Sequence, residues 1–221
     1  VGRLSTAEVY ARELKSLLVG LGFQEMVFNY LASFEELVER MYPENARAGV
    51  LEKLVRIANP VSEKFEYVRN SAIPLLLEAE SVSANAVYPH NIFEVGKTVA
   101  VAPGTIAGTE THNTCAFLTA DADADFNTVT ANLTALFYYL NTPYAVRAVE
   151  DPRFISGRAG EIVVNASEGG SPTSQAGRSA DRVVGVFGEV HPRVLTNWGI
   201  ELPCVVCEIG FDPLLPETRA R

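Results

Sequence analysis

Residues 59–99 read NPVSEKFEYVRNSAIPLLLEAESVSANAVYPHNIFEVGKTV, and the order of breaks and apolar runs within them decides the fold. Asn59-Pro60 closes the segment before it, because proline lacks an N–H and pushes the preceding residue away from helical dihedrals. Phe65, Tyr67 and Arg69 then alternate as in a short strand. Asn70-Ser71 is a polar pair suited to starting a helix, and Pro74 falls in the first turn, where a missing donor does little harm. Leu75, Leu76, Leu77, Ala79, Val82, Ala86 and Val87 predict a mostly buried helix that ends by Tyr88-Pro89. Ile92 to Val95 read as a second strand running into Gly96. Strand, buried helix, strand is the unit around which the other segments must pack.

Before this unit, Ser5-Thr6-Ala7-Glu8 has the form of a capping box. Val9, Leu14, Leu17, Leu18 and Leu21 recur at helical spacing, and Gly20 and Gly22 stop the helix by Val19. Phe23 to Leu31, with Phe28 and Tyr30, is expected to be one long strand. A long helix followed by an aromatic strand either makes a subunit interface or covers the protein's own sheet, and periodicity leaves both readings open. Ser33 to Met41 fits a short capped helix, and Val50 to Ile57 a strand.

After the unit, the Gly- and Thr-rich run beyond Val99 reads as a turn between strands, with Thr114 to Thr119 as the next strand. Asp121, Asp123 and Asp125 have the spacing of a calcium loop without its glycine and distal glutamate, so they read as a solvated helix entry. Phe126 to Leu140 is an amphipathic helix, followed by strands at Tyr144 to Val149, Glu161 to Val164 and Arg182 to Phe187. Asn165 to Asp181 is low in apolar residues and reads as a mobile loop. His191-Pro192 caps a short helix ended by Gly199, before a last strand at Val205 to Phe211. The sum is an α+β fold, an antiparallel sheet of roughly six or more strands flanked by helices, expected as a single domain over residues 1–221. Val1 in place of Met, followed at once by a helix, reads as a piece of a longer chain.

A net charge of −9 argues against broad phosphate binding, which depends on clustered Lys and Arg. No apolar run is long enough to span a bilayer, so no membrane partner is expected, and three cysteines without obvious pairing fit a reducing compartment, so the location reads as cytoplasmic. Cys204-x-x-Cys207 lies inside the apolar run CVVCEI with no second pair or nearby His, so it reads as buried strand thiols rather than a metal site. No Walker lysine, G-x-G-x-x-G, nucleophile elbow or H-E-x-x-H is present.

The ordered series NPVSEKFEYVRNSAIPLLLE, YPHNIFEVG, FISGRAGEIVV, GVFGEVHPRVLTNWGIELP and CEIGFD resembles the C-terminal part of the phenylalanyl-tRNA synthetase beta subunit, in its archaeal or eukaryotic-like form. The resemblance covers nearly the whole chain. It implies a catalytic-like module with the class II aminoacyl-tRNA synthetase fold, paired with the catalytic alpha subunit in an α2β2 enzyme that attaches phenylalanine to tRNA. The complete enzyme then uses ATP and Mg2+. The editing activity of that family is the property of a more N-terminal domain.

The same resemblance makes the ATP-binding positions checkable. Class II enzymes hold ATP with an arginine in a pattern near G-x-x-F-R-x-E, which here reads Gly96-Lys97-Thr98-Val99-Ala100-Val101-Ala102. A late G-x-G-x-x-R pattern reads Glu208-Ile209-Gly210-Phe211-Asp212-Pro213, again without arginine. Developing polyphosphate charge needs fixed cations, so neither catalytic residues nor a cofactor is expected in this chain itself. Lys97 and Arg69 are the substitutes to weigh, Lys97 reading as solvent- or partner-facing and Arg69 as a brace for the Asn59-Pro60 turn. The expected function is assembly, with Leu14, Leu17, Leu18, Phe23, Phe28 and Tyr30 facing the alpha subunit, or a second copy when the chain is alone. The alternative is a stand-alone ligase paralogue that activates a carboxylate with ATP. Arg158, Glu189 and His191, with Pro192 behind it, read as a structural polar cluster, and Glu94 and Glu208 as strand carboxylates needing Arg69 or Arg158 as partner.

Overall fold

The computed structural model describes residues 2–83, 85–165 and 181–215, so most of the loop expected over Asn165 to Asp181 lies outside the described residues. The first helix, α1 (Thr6–Gly20), starts where Ser5 Oγ accepts the Glu8 N–H, and it buries Tyr10, Leu14 and Leu18. β1 (Gln24–Glu25) and β2 (Leu31–Ala32) follow, separated by an irregular segment where one long strand was expected. The strand ends because the Met26 N–H makes the last bond to Phe93 O, and the Phe28 N–H goes instead to the Glu94 side chain.

Ser33 and Glu36 cap each other reciprocally ahead of a π-helical turn at Glu35–Glu39, and α2 (Glu44–Leu51) and β3 (Val55–Arg56) replace the strand expected from Val50. β4 (Tyr67–Val68) leads into α3 (Ile73–Ser81), which has Pro74 in its first turn and ends well before Tyr88-Pro89. β5 (His90–Val101) and β6 (Thr109–Ala120) form one long hairpin, so the Gly- and Thr-rich run turns over residues 102–108 and is strand on either side. Asp125 caps α4 (Phe126–Tyr139) with a full capping box. β7 (Ala145–Ala148), β8 (Phe154–Asn165) and β9 (Asp181–Val190) precede α5 (Pro192–Trp198), which is closed by Gly199 in the left-handed region at φ 69°. β10 (Cys204–Gly210) is the last strand.

The strands form a seven-stranded sheet in the order β1-β5-β6-β10-β9-β8-β7, with β2-β4-β3 as a separate small sheet. The fold is α+β and the large sheet mostly antiparallel, but β1 runs parallel to β5, so the sheet is mixed. Alternation along each strand divides the side chains between two faces. One face carries Phe93, Cys115, Phe117, Phe187, Val205 and Cys207 and is covered by Leu14 and Leu18 of α1 and by Val129, Leu133 and Leu136 of α4. The other carries Ala116, Leu118, Val190 and Val206 beneath Ile73, Leu76 and Leu77 of α3 and Val194, Leu195 and Trp198 of α5.

Candidate functional site

The second face is apolar only where α3 and α5 lie. Beyond them, β5, β6 and β10 present Glu94, Gly96, Thr98, Thr114 and Glu208, all placed on this face by the pairings Glu94↔Ala116, Gly96↔Thr114 and Glu208↔Ala116. Here a cleft of about 330 Å³ opens, lined by Asn70, Thr98, His112, Thr114, Glu161, Val183 to Val186, Glu208 and Gly210. Among the described residues no Lys or Arg lines it. Its acceptors are already engaged. Thr98 and Thr114 share a hydrogen bond of 2.9 Å, and Glu208 accepts from Ser71 Oγ at 2.8 Å and from the Ala72 N–H at 2.6 Å. Burial pushes the Glu208 carboxyl above its usual range against the pull of these two donors.

The two cations weighed as arginine substitutes do not enter this cleft. Lys97 shares the face of Phe93 and Val95, and its exposed side chain lines a separate cleft with Ser5, Glu8, Lys15 and Asn113 beneath α1. Ala100, at the position of the expected arginine, falls on the cleft face of β5 and carries no charge. Arg69 is fully buried, with Nη1 2.6 Å from Glu94 Oε2 and Nε donating to Lys97 O at 3.0 Å. Its guanidinium lies 4.7 Å from the centre of the Tyr30 ring, and its backbone N–H bonds Tyr30 O. Glu94 Oε1 accepts the Phe28 N–H at 3.1 Å, so the pair ties the Phe28–Tyr30 segment to β5. A side chain on Gly96 would place Cβ 2.5 Å from Arg69 Nη2, so glycine is needed for this close approach. Arg69 therefore braces β5 and Tyr30 rather than the turn at Asn59 and Pro60, both of which are exposed.

The interface candidates divide. Leu14, Leu18 and Phe23 are buried in the protein's own core and Leu17 packs against it, which corrects the expectation that they face a partner: their helical stripe covers the sheet. Phe28 packs between α3 and the small sheet, and Tyr30 is half exposed over Arg69. Exposed apolar side chains near this region are Val27, Val82 and Val87, with Leu4, Val9 and Val19 exposed at the entry and outer side of α1. Met26 and Val87 line a groove of about 300 Å³ between the open edge of β1 and the chain after α3, with Glu80 and His90 at its base. Sequence reasoning passed over Val82 and Val87 by placing them inside the helix of α3.

The polar cluster also divides. Arg158 Nη1 meets Glu189 Oε2 at 2.6 Å, and Glu189 Oε1 accepts the Phe126 N–H that opens α4. His191 stands apart from this pair, its Nδ1 accepting the Arg193 N–H to cap α5 ahead of Pro192. His90 opens β5, with Nδ1 2.8 Å from Glu80 Oε2. Cys115, Cys204 and Cys207 are free and buried, and burial pushes the Cys115 thiol up to about 12. Among the described residues no group of His, Cys, Asp and Glu converges as a metal site, and no helix is long and apolar enough to cross a membrane.

Comparison with known proteins places this arrangement. The phenylalanine–tRNA ligase beta subunit of Treponema pallidum is 42% identical over 216 residues, covering 98% of this chain and 32% of that subunit. That of Borrelia hermsii is 39% identical over 215 residues, covering 97% and 34%. The chain spans about a third of the length of the curated relatives it matches. These relatives are bacterial, which corrects the expectation of an archaeal or eukaryotic-like form. The family model for the phenylalanyl tRNA synthetase beta chain CLM domain matches residues 1–211, and the chain belongs to that family.

Proposed function

We propose that this chain is a non-catalytic, class II-like domain from the C-terminal part of a phenylalanine–tRNA ligase beta subunit. It scaffolds assembly with the catalytic alpha subunit, as α2β2 in the cytoplasm, for ATP-dependent attachment of phenylalanine to tRNA. The observation that carries this reading is the cleft on the second sheet face. It lies beside the Ala100 strand and the Glu208 strand, where the family resemblance implies an ATP site, yet two carboxylates and two mutually bonded hydroxyls line it without a cation. Neither carboxylate is free, Glu161 being paired with Arg147 at 2.6 Å and Glu208 held by Ser71 and Ala72, and no Lys or Arg reaches the lining among the described residues, so the residues present do not fit ATP with Mg2+ and no reaction step is assigned to this chain. In the whole enzyme, ATP and Mg2+ belong to the alpha subunit under this reading, and the tRNA is bound by the complex.

The class II fold is supported by the order of parts: long helix and parallel edge strand, long antiparallel hairpin, and final central strand. The assembly surface is the edge of β1 with Val27, Val82 and Val87, because an open strand edge beside exposed apolar side chains is suited to a partner chain.

The test is to express the full beta chain with its alpha subunit and compare Lys97→Ala with Val27→Asp/Val87→Asp. Lys97→Ala should leave kcat/KM for aminoacylation within about twofold, since its ammonium lies off the cleft face. The double aspartate variant should lose the complex on size-exclusion chromatography while its own fold persists. Loss of activity by Lys97→Ala in an intact complex would contradict the scaffold reading and favour the ATP-using ligase alternative.

A further inference from the structure

The outer edge of β5 has one open rung. Alternate residues of the strand turn their backbone groups to that edge. Phe93 O takes the Met26 N–H at 2.7 Å, Lys97 O takes Arg69 Nε at 3.0 Å, and the Val99 and Val101 N–H groups reach Arg69 O and Lys53 O. Val95, between them, has no backbone bond on this side among the described residues, and it lines the cleft of about 390 Å³ beneath α1. The next rung of the parallel ladder would join the Phe28 N–H to Val95 O. That N–H goes instead to Glu94 Oε1 at 3.1 Å, and Arg69 Nη1 holds the other oxygen of the same carboxylate at 2.6 Å. β1 therefore stops after two residues, although Val27 and Phe28 suit a strand.

The same segment has a second path open to it. Continuing the register Gln24↔Ile92 and Glu25↔Phe93 by two residues sets Val27 opposite Val95. Val27 would then take the side of Glu25, which meets Lys15 of α1 at 2.6 Å, and would enter the cleft beside Val95 and Ala11. In the path observed, Val27 is 84% exposed. Phe28 keeps the side of Met26 in both paths, so its packing on α3 is compatible with either. The advance ends at this rung, because Lys97 O and the Val99 N–H are already taken by Arg69. Burial of Val27 favours the advanced path, and the buried ion pair with its bond to Phe28 favours the observed one.

We infer that the Arg69–Glu94 pair is a latch that holds Val27 out of the sheet, and that opening it lets β1 advance one rung and bury Val27 in the cleft under α1. Its use in assembly rests on the function proposed above, a partner that takes Val27 selecting the latched path. The test places Val27→Cys and Val95→Cys in the full beta chain, since opposed strand positions lie within disulfide reach. With Arg69 and Glu94 intact, mild oxidation should leave the two thiols free. Adding Arg69→Met and Glu94→Leu should raise the crosslinked fraction at least about tenfold. A folded variant that does not crosslink overturns the latch, and so does equal crosslinking with the pair intact. Failure of the Arg69→Met/Glu94→Leu chain to fold also overturns it, because the advanced path is the state that chain must reach. Without the added cysteines, Arg69→Met/Glu94→Leu should weaken binding to the alpha subunit by about tenfold or more. Crosslinking as expected with unchanged affinity upholds the latch and overturns the use of Val27 in assembly, so the two failures are distinguishable.

Discussion

The pairing of Arg69 with Glu94 decides the local geometry of β5. Two charges out of water are held together by a 2.6 Å contact, a backbone bond on each side chain and the Tyr30 ring. Removing one partner leaves the other charge buried, so Glu94→Gln or Arg69→Met should cost about 3–5 kcal/mol in chemical denaturation. Changing both to apolar residues should recover much of that loss. Two other carboxylates act with opposite signs on pH. The Thr128 N–H and hydroxyl hold Asp125 below the usual carboxylate range, so its contribution is present above an unfolded value of about 3.9 and is lost on acidification. Burial raises Glu208, so its contribution is full below an unfolded value of about 4.3 and is lost as pH rises through the folded value. Glu208→Gln should therefore flatten the decline in stability above pH 4, read by denaturation at several pH values, while Asp125→Asn should flatten the acid limb. Both carboxylates could be singled out in the sequence, Glu208 as a charge in an apolar run and Asp125 as one of three aspartates at a helix entry. The partners of Glu208 could not, because Ser71 and Ala72 lie 137 and 136 residues away.

At the level of elements, legibility followed locality. α1, α4 and α5 were readable because Ser5, Asp125 and His191 cap them within a few residues and their apolar stripes repeat at helical spacing. The segment after β1 was misread because its aromatic residues alternate like a strand while its backbone is claimed by the Glu94 side chain, a partner 66 residues distant. α2 was missed because it buries no residue and so has no apolar stripe to read. Strand crowding is also invisible locally. Gly185 sits so close to Glu208 O of β10 that a Cβ would collide with backbone, so Gly185→Ala should destabilise by about 1–3 kcal/mol in thermal or chemical unfolding. The same logic separates packing from docking on α1. Leu17 packs on the protein's own core, so Leu17→Asp should lower the melting temperature of the isolated chain and is a poor probe of assembly.

For the molecule as a whole, the sheet divides into two faces of different use. One is sealed by α1 and α4, and the other is half covered by α3 and α5 and half left as a polar cleft that no Lys or Arg lines among the described residues, its Glu161 being paired with Arg147. Residue types announced the missing arginines at Ala100 and after Gly210, but only the fold shows that Lys97 lies on the wrong face to replace them. The assembly proposal rests on the edge of β1 and the groove beside it. The most direct test of this account is calorimetric titration of the purified chain with magnesium-ATP, carried to millimolar nucleotide. No saturable heat is expected. Saturable binding that is lost in Lys97→Ala or Arg69→Met variants shown to be folded would contradict it and place a nucleotide site in this chain.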